Sequence, residues 1–64
     1  MEEFEVRLVK EKEDLEQKLI KLEAFIDSDK FNEIELVQQS LLSVQFSAMT
    51  TYLLCLNERI DWLN

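Results

Sequence analysis

The chain of 64 residues has no glycine, no proline and no histidine, and its only cysteine is Cys55. Without glycine or proline it lacks the usual residues for hairpin turns and for glycine-rich phosphate loops of the Walker or dinucleotide type. Without histidine, and with one thiol, it has no disulfide framework within the chain and no zinc site of the ordinary Cys/His kind. Positive charge is also scarce, with seven Lys and Arg against 14 Asp and Glu for a net charge of −7. General DNA or RNA binding, which neutralises phosphates with Lys and Arg, is therefore not expected. The longest uncharged stretch, residues 36–57, is punctuated by Gln38, Gln39, Ser40, Ser43, Gln45, Ser47, Thr50 and Thr51, so it does not read as a membrane span. The N-terminus opens on acidic residues instead of a basic region followed by an apolar run, so no secretory signal is visible and a cytoplasmic protein is expected.

What remains is a helix-forming mixture rich in Leu, Glu, Lys and Gln, and at 47% hydrophobic it is too apolar to read as disordered. The reading is all-α, with residues 1–64 as a single helical domain. A chain this short buries only about 60% of its unfolded surface, so a private core contributes little and self-association is the common remedy.

The chain is organised around residues 21–32, KLEAFIDSDKFN. Asp27, Ser28 and Asp29 have short polar side chains that bond their own backbone and compete with helix continuation, which predicts a turn there. Ser28 or Asp29 is placed to cap a following helical turn, and Phe25, Ile26 and Phe31 are close enough to pack as an apolar plug. On the N-terminal side, Phe4, Leu8, Leu15, Leu19, Leu22 and Ile26 fall along one side of a helix. The i,i+4 pairs Glu3/Arg7 and Asp14/Lys18 are complementary in charge. Glu11 and Lys12 interrupt the stripe between Leu8 and Leu15, either as a functional gap or because this portion runs beyond its partner helix. Val6, Val9, Ile20 and Ala24 form a weaker apolar line on another side, which hints at a second contact surface.

On the C-terminal side, Val37, Leu41, Val44, Ala48, Tyr52, Cys55 and Trp62 share one side of a helix, and Leu42, Phe46, Met49, Leu53, Leu56 and Ile60 lie beside them. Together they cover roughly 200° of the helical wheel, about twice what packing on one neighbour requires. The expected architecture is an antiparallel two-helix hairpin with a short helical turn, assembling as a homo-oligomeric helical bundle. The residues do not fix the subunit number. Cys55, inside the arc, reads as a buried, inert thiol, and Met49 and Tyr52 read as core or interface. Gln45, also inside the arc, needs a partner for its amide.

No Ser/His/Asp, Cys/His or metal-ligand constellation can be drawn, and the carboxylates lack an apolar pocket that would set their pKa values apart. The chain reads as non-enzymatic, with no cofactor and no metal. Its cations are Arg7, Lys10, Lys12, Lys18, Lys21, Lys30 and Arg59. Lys18 lies at the edge of the apolar stripe, where it either snorkels or meets a ligand. Arg59 lies inside the wide arc and needs a carboxylate, the open end of the bundle or an anion. Lys10 reads as part of the solvated face.

One combination of residues is more specific: Phe4, Arg7, Leu15, Lys18, the run Lys21-Leu22-Glu23-Ala24-Phe25-Ile26, Ser28, Phe31, Gln39, Leu41-Leu42, Gln45, Met49, Tyr52, Leu56 and Arg59-Ile60. It covers nearly the whole chain and resembles the small helical phage proteins of the anti-CBASS sponge family. The resemblance implies sequestration, without cleavage, of the cyclic di- and trinucleotide messengers of a bacterial antiphage (CBASS) system. It further implies homo-oligomers, with hexamers among the candidates, that carry ligand pockets between subunits in the host bacterial cytoplasm. Carried over residue by residue, it implies a ligand set of Phe4, Arg7, Lys18, Lys21 and Arg59. Lys18 is the best match to the family's phosphate-contacting lysine, Lys21 is the next, and Arg59 matches its C-terminal arginine. The family's N-terminal tyrosine is missing, and Phe4, the nearest aromatic, can stack on a base but cannot donate a hydroxyl. Two other readings remain, an acidic protein that occupies a basic surface of a host protein and a structural bundle with no small ligand.

Overall fold

A computed structural model describes residues 2–63, in which two long helices fold back on one another as a hairpin and no strand is present among the described residues. The first helix, α1, runs Glu3–Ile26, and the second, α2, runs Leu36–Asp61. A 3₁₀ turn, Asp29–Glu33, lies between them. Glu3 and Glu5 in the first turn of α1 and Arg59 in the last turn of α2 complement the helix dipoles.

The reversal is made with no positive-φ residue among the described residues, which is how a chain without glycine makes it. α1 ends as the Asp27 N–H bonds the Glu23 carbonyl at 3.0 Å and the Ser28 N–H bonds that of Phe25 at 3.0 Å. The Ser28 hydroxyl donates to the same Phe25 carbonyl at 2.6 Å. Ser28 has extended backbone at the start of the 3₁₀ turn but makes no side-chain cap bond to it, so its side chain satisfies the end of α1, contrary to the capping role expected for it. Phe25 and Phe31 meet edge to face, with centroids 6.1 Å apart, and form the apolar plug that the sequence suggests. At the start of α2 the Gln39 side chain donates to the Ile34 carbonyl at 3.0 Å.

The core is one seam of leucines. Leu8, Leu15, Leu19 and Leu56 are buried, with Phe46, Met49, Leu53 and Ile60 packed against them. Three of the four come from the expected stripe of α1, and every α2 contributor comes from the second of its two apolar rows. Burial of Leu8 shows that the N-terminal part of α1 does not overrun its partner. Lys12, in the gap of the stripe, is half-buried, consistent with its aliphatic stem covering part of the seam.

The other apolar row of α2 is left open. Val37, Leu41, Val44 and Trp62 are exposed by 57%, 56%, 65% and 84%, and Ala48, Tyr52 and Cys55 are exposed too. In the hairpin, therefore, Cys55 is not the buried thiol expected. Gln45 and Arg59 are also exposed in the hairpin, and the Gln45 amide reaches only the Met49 sulfur at 3.8 Å. The accessible surface, 5182 Å² for a 7.7 kDa chain, exceeds the ~4,300 Å² typical of a folded monomer of that mass. The radius of gyration, 14.6 Å, is likewise well above the ~11 Å of a compact domain of this length.

The seam makes a testable distinction between two leucines near the end of α2. Leu56→Ala empties a fully buried position and is expected to cost ~2–5 kcal/mol in chemical denaturation, whereas Leu54→Ala, at a position 61% exposed, should stay within ~0.5 kcal/mol. Equal losses would place the core elsewhere.

Candidate functional site

On α1, spacings of three and four residues place Arg7, Lys10, Glu11, Asp14, Lys18 and Lys21 along one flank beside the leucine stripe. The opposite flank carries Glu13, Glu16 and Glu23 interleaved with Val6, Val9 and Ile20. Because the seam fixes the rotation of α1, each flank meets a different edge of α2, and a groove forms on each side.

The first groove, about 340 Å³, is lined by Arg7, Lys10, Glu11, Asp14, Leu15, Lys18 and Tyr52. Buried Leu15 anchors it to the core, and the Tyr52 ring is supplied by α2. Three cations face two carboxylates, a local excess of positive charge in a chain of net charge −7. The Lys10 ammonium lies 3.3 Å from Asp14, with the two side chains 74% and 58% exposed. Such an open pair is worth only ~0–1 kcal/mol, so Lys10 can be redirected towards an incoming anion at little cost. It is the ion pair found among the described residues, and the expected Asp14/Lys18 and Glu3/Arg7 pairs are not formed there.

The second groove, about 330 Å³, is lined by Glu16, Leu19, Ile20, Glu23, Phe46, Thr50 and Leu53. Its only charges are two carboxylates, which would repel a phosphate. Thr50 turns its hydroxyl back to the Phe46 carbonyl at 2.9 Å. Of the two grooves, only the first suits an anion.

The structure brings two of the sequence-derived candidates, Arg7 and Lys18, to one groove and leaves three outside its lining. Lys21 is exposed, one turn beyond Lys18 towards the hairpin bend. Phe4 is 53% exposed, one turn before Leu8. Arg59 is exposed on α2, seven residues after Tyr52 and so two turns, about 10 Å, further along nearly the same side. Of the cations and the ring in the groove, Lys10 and Tyr52 are the two outside the sequence-derived ligand set. Lys10 follows Arg7 at helical spacing, which was a usable signal. Tyr52 lies within the wide arc, where its first apolar row meets the second, and only the docking of α1 shows that this part of the arc faces the cations.

Among the described residues no group of three or more Cys, His, Asp or Glu is placed to hold a metal ion, and no helix is long and apolar enough to cross a membrane. The groove combines three cations with one aromatic ring, the side-chain chemistry that suits an anion with an attached ring.

Comparison with known proteins agrees with the motif-level resemblance. The Sequestin family model matches residues 2–62. An uncharacterized 7.5 kDa protein from the denB–rIIB intergenic region of Enterobacteria phage T4 is 37% identical over 57 residues, which cover 89% of each chain. No solved structure matches the chain. With almost its whole length matched, the chain belongs to the Sequestin family, the phage anti-CBASS sponge family that its Lys21–Ile26 run and C-terminal Gln, Leu, Tyr and Arg spacing resemble.

Proposed function

We propose that the protein binds cyclic di- or trinucleotide messengers of bacterial antiphage signalling in the host cytoplasm and holds them without cleaving them. Membership of the Sequestin family, which implies phage sequestration of cyclic nucleotides, is the observation that carries this reading. The groove of Arg7, Lys10, Lys18 and Tyr52 supports it physically, because it combines cations for phosphates with a ring for a base.

One hairpin forms only one wall of such a site. The working unit in this reading is a homo-oligomer in which a second copy covers the open Val37, Leu41, Val44 and Trp62 row of α2 and closes the groove from the other side. The contact brings Phe4, Lys21 or Arg59 of one copy towards Arg7 and Lys18 of another, so that the full ligand set of Phe4, Arg7, Lys18, Lys21 and Arg59 is assembled only between subunits. Light scattering at micromolar concentration should then give a mass that is a multiple of 7.7 kDa, and a well-folded monomer would exclude an intersubunit site.

Charge-assisted bonds to phosphate are worth ~1.5–3 kcal/mol each. Lys18→Ala should therefore weaken binding of a cyclic nucleotide by roughly ten- to a hundred-fold in calorimetry. Lys30→Ala, in the 3₁₀ turn and outside the groove, should leave it unchanged, and equal losses would indicate general electrostatics.

The two carboxylates in the groove give a prediction of opposite sign. Glu11→Gln removes a like charge beside the expected phosphate position and should tighten binding by a few-fold, more at low salt than at high salt. Unchanged affinity at low salt would remove the groove from the site.

The decisive test of sequestration is to incubate the protein with a panel of cyclic di- and trinucleotides, denature it and chromatograph what is released. Intact ligand, first depleted and then recovered, is the expected result, and a linearised product would overturn the non-enzymatic reading. The acid-rimmed groove of Glu16 and Glu23 favours a second reading, docking of a basic amphipathic helix from a host protein. Failure to deplete any nucleotide in the panel would shift the balance to it.

A further inference from the structure

Tyr52 is the one aromatic side chain in the lining of the cationic groove, and it is 45% exposed. It sits at the edge of α2 nearest the α1 cations, one turn before Leu56, which is fully buried and fixes that stretch of α2 against the leucine seam. Across the groove stand Arg7, Lys10 and Lys18 on α1. A bare phosphate would use the cations and leave the ring idle, and an apolar molecule would do the reverse. A nucleotide uses both, its phosphate held by the ammonium and guanidinium groups and its base laid against the phenol ring.

From this juxtaposition we propose that Tyr52 is the base-stacking residue of the site, the group that makes the groove select nucleotides over other phosphates. The assignment deepens the cyclic-nucleotide reading above and rests on it. Tyr52 also belongs to the uncovered apolar row of α2, so a second copy seated on that row would bring its surface over the mouth of the groove beside the ring. Stacking needs the aromatic face and not the hydroxyl, so Tyr52→Phe should bind as the wild type does, and Tyr52→Leu should not.

The test uses the full chain in its native oligomeric state, with cyclic diadenylate, cyclic GMP–AMP and cyclic triadenylate as base-bearing probes and pyrophosphate as a base-free one. For the tightest of the cyclic probes, Tyr52→Leu is expected to lose roughly five- to a hundred-fold in affinity while Tyr52→Phe stays within about two-fold. Pyrophosphate, titrated by NMR, should bind Tyr52→Leu and wild type alike and should be weakened by Lys18→Ala. Circular dichroism and light scattering on each variant separate a local loss from misfolding or dissociation. The wild type supplies a check that needs no variant, because the chain has a single tyrosine whose ring protons should move upfield when a base stacks on it. A cyclic probe that binds wild type and Tyr52→Leu equally, or binds without shifting the tyrosine ring signals, would overturn the assignment while leaving sequestration standing. A wild type that binds none of the cyclic probes would overturn both.

Discussion

The leucine seam constrains everything else in the hairpin. Leu8, Leu15 and Leu19 of α1 close on Leu56 of α2, with Phe46, Met49, Leu53 and Ile60 flanking them, and this cluster holds together two helices that make a body 45 Å long and only 15 Å across. Isolated helices gain little from propensity alone, so their stability comes from this contact. The seam also sets the rotation of each helix about its own axis, and that rotation decides what the rest of the surface presents. On α1 it sends Arg7, Lys10 and Lys18 to one groove and Glu16 and Glu23 to the other. On α2 it consumes one apolar row and leaves the other in water.

Separation of the charges gives an acidic chain a local positive site. A net charge of −7 would repel a phosphate at long range, but screening at physiological salt limits that repulsion to about 8 Å, and within the groove the nearest charges decide. There Glu11 and Asp14 oppose Arg7, Lys10 and Lys18, and the exposed Lys10–Asp14 pair is too weak to hold Lys10 away from a stronger acceptor. Under the proposed function, such a groove would combine modest attraction with selectivity, because general polyanions still meet a negative protein elsewhere on the surface.

The fold was largely legible because the two apolar periodicities are strong and the polar break at Asp27–Asp29 is unique in the chain. Even the division of α2 into two rows was readable, although nothing in the sequence says which row α1 takes. That choice depends on the shape of the seam, and it is why Cys55, which reads as a buried thiol from the wheel, faces solvent in the hairpin. Ser28 or Asp29 reads as a cap for the following turn, and Ser28 does take that backbone position but turns its hydroxyl back to α1, because a short hydroxyl side chain serves either side of a turn and local backbone geometry decides between them. Of the motif-derived candidates, Arg7 and Lys18 share the lining of the cationic groove. Lys10 was set aside as solvated, since exposure on a wheel does not distinguish a groove wall from open surface. Tyr52 was absorbed into the apolar arc, because its partners across the groove lie in the other helix and far away in sequence.

Under the proposed function the uncovered row of α2 and the open side of the groove have a common remedy. Covering Val37, Leu41, Val44 and Trp62 with another copy removes apolar surface from water at about 25 cal/mol per Å², and the same contact excludes water from the mouth of the groove, where phosphate bonds strengthen as the dielectric falls. Assembly and ligand binding are then thermodynamically linked, and each stabilises the other by mass action. That linkage suits sequestration. A protein that works by stoichiometry needs many sites per unit of chain and slow release once occupied, and a hairpin of this size achieves both only if each helix serves a core, an interface and a binding wall at once. The absence of glycine, proline and histidine fits the same design, since every function is carried by side chains at helical spacing and none by a loop.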